Sequence, residues 1–320
     1  MVSVNKSAMN VVQKMVDRRE RLGIKVEKAE NGATIIDAGV KAPGGFLAGK
    51  YLTELCLGGL CEVTLASYSY DGLELPAIVV QTDYPSIALL GSQFAGWRIS
   101  AGKYFAMGSG PARALSLKPK DLYAKIEYKD SSDEAVCVLE SDSLPPTEAI
   151  DLIANACGVE PRNLYIAVAA TSSIAGSTQI SGRIVETGLH RLTELGFDPK
   201  KALYGSGRAP IAPSHPKSTQ AMGRTNDMLM YAGSTYFSVD AENDEELSKI
   251  VAKAPSCISS AYGRPFYEIF KAANYDFYQI DPALFAPAQI VVNNIKSGVT
   301  FCAGYINSDI LKKSIALTTP

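Results

Sequence analysis

The chain has 320 residues, of which 47% are apolar and 20% charged, and its formal net charge is −2. This is enough apolar material for one large core or two ordinary ones. The near-neutral balance excludes a chain-wide basic footprint for nucleic acid. Apolar runs such as Ala77-Ile-Val-Val80 and Tyr165-Ile-Ala-Val-Ala-Ala170 are too short to cross a bilayer as helices.

In chain order, Val4, Ala8, Val11, Val12, Met15 and Val16 recur at helical spacing and predict an amphipathic helix, with a stop at Gly23. No apolar stretch with a small-residue cleavage site opens the chain, so the expected location is the cytoplasm. Short apolar runs at 33–37, 61–66 and 76–81 predict strands. Segment 122–128, which alternates apolar and polar residues, and the apolar segment 135–139 flank 129–134 and predict a hairpin. After Ser143-Leu-Pro-Pro146, the residues Ile150, Leu152, Ile153 and Ala156 predict a helix that stops at Gly158. Helices are expected over 244–252 and 265–273, and strands over 290–292 and 299–302. Strands in both halves without a regular βαβ rhythm indicate an α+β fold.

Two segments echo each other. Gly91-Ser-Gln-Phe-Ala-Gly-Trp-Arg-Ile-Ser100 has a counterpart in Gly176-Ser-Thr-Gln-Ile-Ser-Gly-Arg-Ile-Val-Glu186, and Gly108-Ser-Gly110 has one in Gly205-Ser-Gly207. Their order predicts an internal duplication. The expected subunit is two-domain: a lobe over 1–145 carries the first repeat, about 76–115, and a lobe over 146–320 carries the second, about 163–213, with the lobes free to intertwine. Such an arrangement offers a pocket between the domains.

The second echo holds the chemistry. A Gly/Ser-rich turn at 176–182 leads into a helix that presents Arg183, Glu186 and His190 on one face, opposite Val185, Leu189 and Leu192. Periodicity alone favours an ordinary solvated polar face, where such pairs contribute roughly 0.2–0.5 kcal/mol. The neighbouring small residues, which let backbone approach a ligand, favour a site. The first echo has Trp97 and Ser100 at the places of Arg183 and Glu186. The two Gly-Ser-Gly segments, followed by Arg113 and Arg208, read equally well as tight turns or as anion sites. Six cysteines without a C-x-x-C pair, and only two histidines, His190 and His215, imply no metal site.

At these residues the chain resembles the methenyltetrahydromethanopterin cyclohydrolase family. The resemblance is carried by 91–97, 176–190 and Gly205-Ser-Gly-Arg-Ala-Pro-Ile-Ala-Pro213, together with Gly263-Arg-Pro-Phe-Tyr-Glu-Ile-Phe270 and Phe285-Ala-Pro-Ala-Gln-Ile-Val-Val-Asn-Asn294. It implies interconversion of N5,N10-methenyl-tetrahydromethanopterin plus water and N5-formyl-tetrahydromethanopterin in one-carbon metabolism. It also implies a homo-oligomer, a trimer among the possibilities, and no cofactor, because the pterin coenzyme is the substrate. The family's catalytic Glu and Arg fall on Glu186 and Arg183. The methenyl carbon is already electrophilic, so the reaction needs a held water and a base rather than a Lewis acid. A positioned base contributes roughly 10²–10⁴-fold. Ser92, Gln93, Trp97, Lys103, His190, Arg208 and Asn226 are the expected substrate-binding residues. The alternatives are a non-catalytic pterin-binding protein and a formyl-transfer enzyme on the same coenzyme; a carrier has no use for an acid–base pair.

Overall fold

The computed structural model describes residues 2–316 and 318. Up to the middle of the chain the helices and strands are α1 (Val4–Asp17), α2 (Arg19–Leu22), β1 (Lys25–Lys28), β2 (Thr34–Asp37), α3 (Phe46–Cys56), β3 (Glu62–Tyr70), β4 (Leu73–Thr82), a π-helical segment (Ser86–Gln93), β5 (Trp97–Ala101) and β6 (Tyr104–Ser109). They continue with α4 (Ala112–Ser116), α5 (Lys120–Ile126), β7 (Ala135–Glu140), α6 (Thr147–Cys157), β8 (Leu164–Ala169) and α7 (Ile174–Ser181). The last third contains α8 (Ile184–Glu194), β9 (Ala202–Pro210), α9 (Ser218–Ala232), β10 (Ser234–Val239), α10 (Asp244–Ala252), α11 (Phe266–Ala272), β11 (Gln289–Asn294), β12 (Thr300–Gly304) and α12 (Ser308–Ser314). Helices and two mixed sheets make the α+β class that the sequence predicts.

The chain divides into two compact units. The first comprises 1–62 and 86–179, the second 63–85 and 180–320. This differs from the expected boundary at 145, and the reason is strand pairing. Strand β7, before that boundary, pairs in parallel with β8, after it, through Ala135↔Leu164 to Glu140↔Ala169. The chain passes between units at 85/86 and 179/180, beside or within the helical segments that carry the two Gly-Ser echoes.

The first unit holds a six-stranded sheet in the order β1-β2-β8-β7-β6-β5. Its centre is parallel (β2, β8, β7) and its margins antiparallel. Successive strand residues face opposite sides, and both sides are covered. Ile36, Val136, Val138 and Ala167 pack with Ala8, Val11, Val12 and Met15 of α1 and Leu52 and Leu55 of α3. Ile35, Cys137, Leu139, Ile166 and Val168 pack with Ala149, Ile150 and Ile153 of α6. Burial on both faces explains why β7 reads as an unbroken apolar run. One βαβ crossover, β7–α6–β8, is thus present where the sequence shows no such rhythm.

The hairpin expected over 122–139 does not form. Residues 120–126 are helical, with Tyr123 and Ile126 buried three positions apart. Both edges of β7 are taken, by β6 and β8, so no edge is left for a strand at 122–128.

The second unit holds the sheet β12-β11-β10-β9-β4-β3. A separate core joins Met230 and Tyr231 of α9 to Phe266, Ile269 and Phe270 of α11 and Ile310 of α12. Asp227 lies beneath it, 1% exposed. Its carboxylate accepts from Phe266 N at 2.8 Å and from Ser314 Oγ at 2.5 Å. Burial pushes its pKa up to about 7 against those hydrogen bonds. Among the described residues no helix is long and apolar enough to cross a membrane.

Candidate active site

The helix carrying Glu186 is held against its sheet by missing side chains. A Cβ on Gly205 would meet Val185 Cγ1 at 3.1 Å, one on Gly207 would meet Val185 Cγ2 at 2.9 Å, and one on Gly188 would meet Thr235 Oγ1 at 3.0 Å. Helix α8 therefore lies close on β9 and β10, with Ile184, Val185, Leu189 and Leu192 fully buried. The second Gly-Ser-Gly segment is a smooth patch of strand. Gly205 and Gly207 pair with Phe237 and Thr235 on one side and with Thr82 and Val80 on the other. The segment is strand, where the sequence reads as a turn, either tight or anion-binding.

The Gly/Ser stretch at 176–181 is also helical: it forms most of α7. A Cβ on Gly176 would meet the Ala170 carbonyl oxygen at 2.0 Å, so this glycine permits a close backbone contact. The break falls at Gly182 and Arg183, and Arg183 is the N-cap residue of α8. Ser181 Oγ donates to the Pro210 carbonyl at 2.7 Å, which ties the break to the end of β9. Glu186 then occupies the first turn of α8. Acids are favoured there by the helix dipole, by about 0.3–1 kcal/mol.

Arg183 and Glu186 are not a solvated face. Their side chains are 10% and 8% exposed, and Arg183 Nη1 lies 3.8 Å from Glu186 Oε2. An ion pair taken this far from water costs desolvation that its attraction offsets only in part. That cost is a reason to look for chemistry at the pair. His190, one turn on, is 31% exposed, with Nδ1 4.0 Å from Glu194 Oε1. Arg191 Nη1 lies 3.6 Å from the other oxygen of Glu194, and Arg191 Nη2 donates to the Lys253 carbonyl at 3.1 Å. The sequence reading missed Glu194 and Arg191, although Glu194 stands four positions from His190 and three from Arg191 on α8, the same local signal.

The remaining expected site residues are placed differently. In the first unit, Ser92 is fully buried and its hydroxyl donates to the Cys56 carbonyl at 2.6 Å. Gln93 is fully buried, and its main-chain carbonyl accepts from Ser109 Oγ at 2.6 Å. Trp97 is 5% exposed within the core of that unit. Lys103 is exposed in the turn between β5 and β6. Arg113 is fully buried: Nε donates to Lys118 O at 2.8 Å and Nη1 to Leu90 O and Ser92 O, each at 3.1 Å. It serves the main chain and is not presented to an anion. In the second unit, Arg208 is exposed on β9 with its guanidinium 4.4 Å from the Tyr68 ring centroid. Asn226 Nδ2 donates to Met222 O of its own helix at 2.9 Å. The structure therefore groups Arg183, Glu186 and His190 on one helical segment and leaves Arg208 and Asn226 on other elements of the same unit.

Two further carboxylates stand at the ends of parallel strands in the first unit. Asp37 accepts from the main-chain nitrogens of Gly39, Val40, Lys41 and Ala42 at 2.8–3.1 Å and so shapes its own loop. Glu140 accepts from the Thr171 hydroxyl. Among the described residues no group of three His, Cys, Asp or Glu side chains could hold a metal ion.

A buried carboxylate and guanidinium thus share the start of a helix clamped to its sheet. The chain belongs to the cyclohydrolase family: the family model described as Cyclohydrolase (MCH) matches residues 3–315. Curated relatives named methenyltetrahydromethanopterin cyclohydrolase are similar along their whole length. That of Methanococcoides burtonii is 51% identical over 317 residues, covering 99% of both chains. That of Methanocaldococcus jannaschii is 48% identical over 321 residues, with 99% of both covered. That of Methanothermobacter thermautotrophicus is 46% identical over 320 residues, covering 99% of this chain and all of its own.

Proposed function

We propose that this enzyme interconverts N5,N10-methenyl-tetrahydromethanopterin plus water and N5-formyl-tetrahydromethanopterin, with Glu186 as general base. The observation that carries the mechanism is the buried pair: Glu186 at 8% side-chain exposure with Arg183 Nη1 3.8 Å away. The methenyl carbon lies between two nitrogens in an amidinium-like cation, so it accepts a nucleophile without further activation. Glu186 takes a proton from the attacking water as oxygen adds to that carbon. Its negative charge also attracts the cationic substrate. Arg183 fixes the carboxylate and stabilises negative charge developing on the added oxygen. When the tetrahedral adduct collapses, the bond to N10 breaks, N10 is protonated and the formyl group stays on N5.

The pterin coenzyme is the substrate in this reading, and no resident cofactor or metal is required. The assembly is a homo-oligomer and the location cytoplasmic. A coenzyme carrier is disfavoured because the desolvation cost of the ion pair would then have no use.

The test follows the absorbance of methenyl-tetrahydromethanopterin on addition of the enzyme or of Glu186→Gln. Rapid decay with the first, and a loss of roughly 10²–10⁴-fold in kcat with the second at retained affinity, is the expected result. Equal, slow decay with both would leave a binding protein.

A further inference from the structure

We propose that His190 is the proton relay between Glu186 and solvent, with Glu194 as its outward partner. The inference rests on the reading of Glu186 as the base.

The chemistry demands an exit. A methenyl cation and water give a neutral formyl compound and one proton. Addition of water puts one proton on Glu186 and leaves a neutral carbinolamine. Collapse forms the carbonyl, releases the hydroxyl proton and delivers a proton to N10, so those two transfers cancel. The proton on Glu186 must leave before the next hydrolytic turnover, and the reverse reaction must bring one in by the same route.

The geometry supplies a graded path. Positions 186, 190 and 194 are one turn apart on α8 and share a face. Side-chain exposure along them rises from 8% to 31% to 40%. Side chains four apart on a helix are about 5–6 Å apart at Cβ, within reach directly or through one water. Imidazole can accept a proton on one nitrogen and release it from the other, near neutral pH. Glu194 Oε1 lies 4.0 Å from Nδ1. Arg191 holds that carboxylate from the other side and is itself tied to the Lys253 carbonyl. The row therefore runs from a buried base to an anchored, half-exposed acid, with the imidazole between them.

The experiment uses the full-length enzyme with His190→Gln and His190→Ala, assayed in dilute buffer with and without added imidazole. Expected is a fall of about tenfold or more in kcat at unchanged KM, reversed by imidazole in a saturable way. Wild-type kcat in dilute buffer would overturn the relay. A raised KM at unchanged kcat would make His190 a substrate contact instead. A lower kcat that imidazole fails to restore would make its role structural, and would also overturn the relay. Glu186→Gln is run alongside: if it turns over like the wild type, the base assignment itself fails, which separates the two claims.

Discussion

Arg113 and Arg183 are both buried, one in each unit, yet they are used in opposite ways. Arg113 spends its guanidinium on the carbonyls of Leu90, Ser92 and Lys118, and rests near the rings of Phe94 and Tyr123 at 5.2 and 5.5 Å. It ends the chain's turn through the π-helical segment and holds it. Arg183 faces a carboxylate at 3.8 Å. A buried cation whose partners are main-chain carbonyls is part of a scaffold. One whose partner is a second ionisable side chain can take part in a reaction, because that partner can change its charge.

The contrast predicts different failures. The largest effect is expected for Glu186→Gln: roughly 10²–10⁴-fold in kcat with little change in melting temperature, read by steady-state assay and calorimetry. A large loss of stability in that variant would put the pair in the scaffold class. Arg113→Met should do the reverse. It takes a donor from the carbonyls of Leu90, Ser92 and Lys118, of which Ser92 keeps the Gly110 main-chain N–H, and costs about 1–3 kcal/mol, measurable as a lower denaturant midpoint. An unchanged midpoint would show that water reaches those carbonyls.

Asp227 tests scaffold electrostatics through pH. Its folded pKa, about 7, exceeds the ordinary carboxyl value of about 3.9. Between these values the folded chain binds a proton that the unfolded chain lacks, so stability falls as pH rises through about 7. The melting temperature of Asp227→Asn should gain on the wild type between about pH 4 and pH 7; parallel profiles would refute the buried titration. The smallest effect is expected for Arg208→Ala. It removes an exposed contact with Tyr68 worth about 0.5–1 kcal/mol, and a melting curve shifted by more would reveal a further role.

What the sequence made legible was local. The face shared by Glu186 and His190, the α1 stripe from Val4 to Met15 and the stop at Gly158 depend on spacing within a turn or two, and these features are present as read. What it hid was non-local. Residues 120–126 carry a pattern that fits strand or helix, and the occupied edges of β7 decide between them. The glycines at 205 and 207 look like a turn until Val185 is seen against them. The equivalence of Trp97 and Ser100 with Arg183 and Glu186 fails for a related reason. The former pair lies on strand β5, with Trp97 buried and Ser100 exposed, and the latter at the start of a helix. Ser92 and Trp97 sit in a strong motif and are buried in the first unit. A sequence motif does not separate packing from contact with substrate.

The discontinuous units bear on how the chain reaches this state during synthesis. The β3–β4 ribbon leaves the ribosome early, but its pairing partner β9 comes much later: Val80 awaits Gly207, and Ala77 awaits Pro210. Likewise β2 must wait for β8 before Ile36 can meet Ala167. The first sheet is complete only once β8 has emerged at Ala169, and the second only once β12 has, so nascent chains expose unpaired strand edges through much of synthesis. Truncations between β4 and β8, which leave both sheets incomplete, should accordingly aggregate instead of yielding a soluble domain.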